Sequence, residues 1–141
     1  VPVLAGCTTA PIREMQANLA YERSRNIKPP TPKQDLLAFF HSYFNDPTGV
    51  RDPSWTEPAI ATARPVERYV SCVRYNAKKA GGGYAGPRTG AVIFISGRVD
   101  HLVALDRLPG QAEESSGNKA LREFCAGASY QPFPELSQLT R

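Results

Sequence analysis

The sequence predicts an α+β domain in which one long helix packs on a three- to four-stranded antiparallel sheet, behind an N-terminal tether. Three observations carry this. Apolar residues recur at helical spacing over residues 36–44, giving one broad face. From about Glu57 the apolar period shifts toward two. Ser96-Gly97 then joins two apolar runs by hairpin turn chemistry. A chain of 141 residues can bury one core and is short of two ordinary domains. Its 41% hydrophobic and 21% charged residues, with 13 prolines and 11 glycines, fit a water-soluble globular fold rich in turns and exclude a coiled coil, a collagen-like chain and a wholly disordered one. No stretch approaches the ~20 apolar residues that span a bilayer.

The elements follow in order. Ile12, Met15 and Leu19 make a thin apolar stripe among charged residues, a short marginal helix. Ile27-Lys28-Pro29-Pro30-Thr31-Pro32 suits neither a helix nor a central strand and should run as a stiff extended spacer. Thr31-Pro32-Lys33-Gln34 reads as a helix start, with Thr31 as cap, Pro32 at the first turn and Gln34 reaching back. Leu36, Leu37, Phe40, Tyr43 and Phe44 then face one broad surface, and Asp46-Pro47-Thr48-Gly49 ends the helix with turn chemistry. Residues 58–63 suit a short edge strand, since proline is tolerated at such a start. Residues 69–77 make a better strand whose core face the pattern leaves open. Residues 91–95 read as a central strand. Over residues 98–105, Val99, Val103 and Leu105 alternate with Asp100, Leu102 and Ala104. A short helix over 118–125 takes Asn118 as cap, and Tyr130, Phe133 and Leu136 among prolines form a tail that docks on the domain.

Charge says little about partners. Seventeen Lys and Arg against thirteen Asp and Glu give +4, and the arginines are scattered from Arg13 to Arg141 without a run of three basic residues. A duplex-binding stripe needs clustering, so no nucleic-acid partner is expected. The N-terminus is more informative. Leu4-Ala5-Gly6-Cys7 resembles a bacterial lipobox, where two small side chains fit a peptidase and the following thiol takes a diacylglycerol. On this reading residues 1–6 are the remnant of a signal peptide, 7–30 a lipidated tether and 31–141 a single domain. With Cys7 assigned to lipid, Cys72 and Cys125 remain as a natural disulfide pair for an oxidising compartment. The competing reading is two buried free thiols in a reducing one. Three cysteines without histidine at ligand spacing argue against a metal site.

Candidate chemistry is sparse. Gly81-Gly82-Gly83-Tyr84-Ala85-Gly86 satisfies G-x-G-x-x-G, yet Pro87-Arg88-Thr89-Gly90 leads on to another strand, whereas a dinucleotide fingerprint must open a helix. No cofactor is expected. The loop gathers Lys78, Lys79 and Arg88 around Tyr84, and with Gly82 and Gly83 it can receive a carboxylate, phosphate or sugar, or dock a partner protein. His101 adjoins Asp100, but strand neighbours point to opposite faces, so the dipeptide is not a ready-made dyad. His41 falls off the apolar stripe, Glu113 and Glu114 lie in a polar loop, and Trp55 reads as a loop anchor. No catalytic residue is assigned.

Asp46-Pro47 leading to Val50-Arg51-Asp52, then residues 70–78 (Val-Ser-Cys-Val-Arg-Tyr-Asn-Ala-Lys) with Gly82-Gly83-Tyr84-Ala85-Gly86, and Cys125 with residues 130–136, together carry a resemblance. They are similar to small uncharacterised lipoproteins of the proteobacterial (Gram-negative) cell envelope. The resemblance implies export, a lipid on Cys7, an outer-membrane anchor facing the periplasm and an accessory envelope role, and it brings no catalytic residues. The function expected is that of a non-catalytic binding or envelope-structural module, with envelope proteins or anionic envelope components as partners. The alternative is an envelope hydrolase with a site near the glycine-rich loop.

Overall fold

The computed structural model describes residues 12–18, 20–21, 25–63, 66–107 and 109–141. The motif at residues 4–7 and Leu19 lie outside the described residues. The elements are α1 (Pro32–Tyr43), β1 (Asp46–Trp55), β2 (Ala59–Ala63), β3 (Val66–Lys78), β4 (Arg88–Ile95), β5 (Arg98–Ala104), α2 (Ser116–Ala126), β6 (Gln131–Pro132) and α3 (Pro134–Ser137). The strands form one six-stranded antiparallel sheet in the order β5-β4-β3-β1-β6, with β2 also pairing β3.

The architecture is α+β, but one long helix on three or four strands is not what forms. The sheet dominates, and the longest labelled helices, of 12 and 11 residues, lie on opposite faces. Two strands escape the sequence pattern. In β1, Pro47, Gly49 and Pro53 and two register shifts against β3 break the period of two. The prolines are tolerated because β1 is close to an edge: on its outer side it meets the two-residue β6 at Ser54 and Trp55, while the Pro53 and Val50 carbonyls accept from the Phe133 amide and the Ser137 hydroxyl. The second missed strand, β6, is two residues long.

Strand β3 organises the molecule. Along one edge it pairs with β4; along the other it carries β2 on its first half and β1 on its second. Thr56 closes the gap between β1 and β2. Its amide donates to the Cys72 carbonyl and its hydroxyl accepts from the Cys72 amide, both at 2.9 Å, so the buried backbone at the join is satisfied.

Both faces of the sheet are core, which is why the pattern in β3 is ambiguous. On one face Val73, Tyr75, Val92 and Phe94 pack under Leu36, Phe40 and Phe44 of α1. Phe133 and Leu136 of the C-terminal tail fill the same cluster beside Val50 and Trp55. On the other face Val70, Cys72, Ala91 and Ile93 pack under Leu121 and Cys125 of α2. The Cys72–Cys125 disulfide ties α2 to the central strand, with Cα atoms 5.6 Å apart.

Local geometry corrects several readings. Thr31 stands at the N-cap of α1 but its side chain makes no capping bond. Ser115, rather than Asn118, caps α2, accepting from the Asn118 amide at 3.1 Å. A register shift between β4 and β5 inserts Asp100, so Val99 packs with the α1 face and Val103 with the α2 face instead of sharing one side. Ser96 and Gly97 both take positive φ, 55° and 79°, as the primed two-residue hairpin turn requires. The Arg25 carbonyl accepts from the Ser96 amide at 2.6 Å and Pro29 is buried, so the chain docks on this turn well before α1 begins. Residues 12–18 are helical, with Ile12 and Met15 exposed.

Candidate functional site

The candidate site lies at the end of the sheet where β3 leaves through the glycine-rich loop and β1 begins. Lys78 pairs in register with Asp46, and an isolated bridge joins Lys78 to Tyr84. The loop is tightly bonded. The Gly82 amide donates to the Lys79 carbonyl at 3.0 Å, Lys79 to Gly83 at 2.9 Å, Ala85 to Ala77 at 3.0 Å and Gly86 to the Asn76 side chain at 2.9 Å.

These bonds aim Tyr84 across β1. Its hydroxyl donates to the Gly49 carbonyl at 2.7 Å, and the Arg51 guanidinium stacks on its ring, 3.6 Å from the centroid. Gly49 is a necessity here. Its φ is +65°, and a Cβ would stand 3.2 Å from the Tyr84 hydroxyl and 3.3 Å from the Lys78 ammonium. Lys78 donates to the Thr48 hydroxyl at 3.2 Å and lies 3.8 Å from the Asp46 carboxylate. Arg141, the last residue, reaches the same carboxylate at 3.0 Å.

Asp46 is thus held ionised. The Thr48 hydroxyl donates to it at 2.6 Å and the Thr48 amide at 2.9 Å, and with Arg141 and Lys78 nearby its pKa falls from 3.8 to about 2. A folded-state pKa below the unfolded one contributes stability that is present above about pH 4 and lost as pH falls through about 2. A carboxyl-carbon NMR titration should give Asp46 a midpoint near 2, and Thr48→Ala should raise it toward the ordinary value. A midpoint near 4 in the native protein would contradict the geometry.

The structure therefore brings together Lys78, Tyr84 and the loop backbone, but not all the residues read from the sequence. Lys79 and Gly82 are exposed on the turn, and Gly83 serves the loop geometry with φ +73°. Arg88 pairs with Tyr75, so its side chain belongs to the α1 face and not to the cluster around Tyr84. The cation on the Tyr84 ring is Arg51, which no local pattern singled out because β1 itself was hidden.

A second aromatic-basic contact sits on the same sheet face. Arg74 stacks on Tyr130, 3.8 Å from the ring centroid, and the Tyr130 hydroxyl donates to the Cys125 carbonyl at 3.0 Å. Burial pushes the Tyr130 phenol pKa up. A cavity of about 240 Å³ opens beside them, lined by Arg74, Thr89, Asp106, Arg107, Arg122 and Tyr130 among others. Arg122 is committed to Glu114 through a forked pair at 2.9 to 3.2 Å, and Asp106 accepts from the Thr89 amide at 2.8 Å.

The bulge in β5 also overturns the reading of Asp100 and His101. Their side chains meet, Nδ1 to carboxylate oxygen at 2.6 Å. A carboxylate only accepts, so in this contact Nδ1 is the donor. The pair is exposed, and His101 lines a cavity of about 270 Å³ with Ser115, Ser116 and Asn118 over Ile93, Val103 and Leu121. Among the described residues no group of three His, Cys, Asp or Glu side chains is placed to hold a metal, and no helix is long and apolar enough to cross a membrane. In comparisons with family models, curated proteins and solved structures, nothing matches this chain.

Proposed function

We propose that this chain is an exported, lipid-anchored module of the Gram-negative envelope, held through Cys7 at the periplasmic side of the outer membrane and acting by binding. The observation that carries the reading is the buried Cys72–Cys125 disulfide, whose two cysteines are 0% and 1% exposed. Such a bond persists in an oxidising compartment and is rare where glutathione keeps thiols reduced. It consumes two of three cysteines and leaves Cys7, the one that follows Leu4-Ala5-Gly6. Residues between Cys7 and the domain supply the spacer. The tightly bonded loop around Tyr84 supplies a rigid surface for a partner.

The test is intact-mass spectrometry of the natural full-length product from a Gram-negative host. The expected product begins at Cys7 and carries acyl chains, and Cys7→Ser should move it from the membrane fraction to the soluble periplasm. An unmodified Cys7, or free thiols at Cys72 and Cys125 in cells, overturns the proposal.

A further inference from the structure

We propose that Arg51 and Arg74 form a phosphate-binding face on the half of the sheet that α2 leaves open. This names the chemistry of a ligand and does not depend on the fate of Cys7. Helix α2 packs over β2 and β4. Beyond it, on the same face of β3 and its neighbours, Arg74 and Arg51 are exposed and Asn76 and Lys78 are half-buried.

Four observations converge there. Arg51 pairs with Asn76, two residues along β3 from Arg74 and on the same face, so strand geometry sets the two arginine Cα atoms roughly 8 Å apart. Each guanidinium carbon lies over the ring of a tyrosine, 3.6 Å and 3.8 Å from the centroid, and each tyrosine is itself fixed, Tyr84 by the Gly49 carbonyl and Tyr130 by the Cys125 carbonyl. A guanidinium over an aromatic face uses one planar surface and keeps N–H donors at its edge for a further partner. Neither arginine makes an ion pair among the described residues, whereas Arg98, Arg122 and Arg141 each do.

A planar fork of donors, oriented in advance and without a carboxylate, matches an oxyanion in two-point geometry. Phosphate suits the face better than carboxylate. A carboxylate has two oxygens, both used by one fork, while a phosphate monoester carries about −1.5 to −2 charge and three acceptor oxygens. It can therefore span one fork and a second donor, with Thr89 and Arg107 lining the cavity beside Arg74. Asp106 lines the same cavity and uses one carboxylate oxygen to accept from the Thr89 amide. The phosphate can belong to a lipid headgroup or to a soluble polyphosphorylated molecule.

The full chain should be titrated with inorganic tripolyphosphate and with citrate, following the side-chain Nε–H signals of Arg51 and Arg74 by NMR, and floated with phosphatidylglycerol-containing vesicles. The diagnostic variant is R51K/R74K, which keeps both charges and removes both forks, with R51K alone as a milder second. Expected is at least a tenfold loss for the double variant on one phosphate probe, and less than threefold for Lys79→Gln, which removes a charge but no fork. Loss on tripolyphosphate assigns a soluble phosphate, and loss on vesicles a headgroup. If the lysine variants bind both probes as the wild type does, if neither probe binds, or if citrate binds as tightly as tripolyphosphate, the proposal fails.

Discussion

The Cys72→Ala/Cys125→Ala double variant is expected to lose about 4 kcal/mol of stability, the chain-entropy value for a loop of 53 residues, within a general range of about 2–5 kcal/mol. Alanine is the right replacement because serine would bury an unpaired hydroxyl at two sites with at most 1% exposure. The loss should fall unevenly. Apart from Cys125, α2 buries only Leu121 completely, whereas β3 and β4 are held from both faces. Amide exchange should therefore rise first in α2 while the centre of the sheet stays protected. Urea denaturation with and without reductant gives the magnitude. An unchanged midpoint, or uniform loss of protection, would show that α2 does not depend on the bond.

Phe40→Ala is expected to cost about 3–5 kcal/mol, the range for truncating a fully buried phenylalanine. Phe40 has 0% exposure and stands at the centre of an aromatic cluster, with ring centroids 5.0 Å from Phe44, 5.3 Å from Phe39 and 5.5 Å from Tyr75. Because α1 reaches the sheet through Leu36, Phe40 and Phe44, the cavity would open where one element meets the other. The site lies across the sheet from the disulfide, so the two effects should be independent. Chemical denaturation monitored by Tyr and Trp fluorescence measures it; a loss below about 1.5 kcal/mol would mean that the cluster collapses into the space. Against a typical total of 5–15 kcal/mol, either change is severe.

What could be read locally was what local chemistry dictates. The apolar face of α1, the Ser96-Gly97 hairpin and the strands β2 to β5 announce themselves by period and turn residues, and all form. Strand β1 does not, because its prolines and bulges are permitted by an edge that only the assembled sheet reveals. The candidate site suffers the same fate. Tyr84 and Lys78 were visible as an aromatic among cations, but Arg51 was hidden with β1, and Arg88 was misplaced because a hairpin sends the first residue of its return strand to a face that spacing alone does not specify.

By itself the chain determined an α+β composition, its main helix, its hairpins and a pair of cysteines left to each other once Cys7 is set aside. The tertiary structure decided the number of strands, the covering of both sheet faces, the closing of Cys72 on Cys125 and the alignment of Arg51 and Arg74 on their tyrosines. The physical reason is range. Helical faces and tight turns are set by residues within one or two turns of each other, whereas strand register, bulges and edge satisfaction depend on partners tens of residues away, such as Arg74 and Tyr130 or Arg51 and Tyr84.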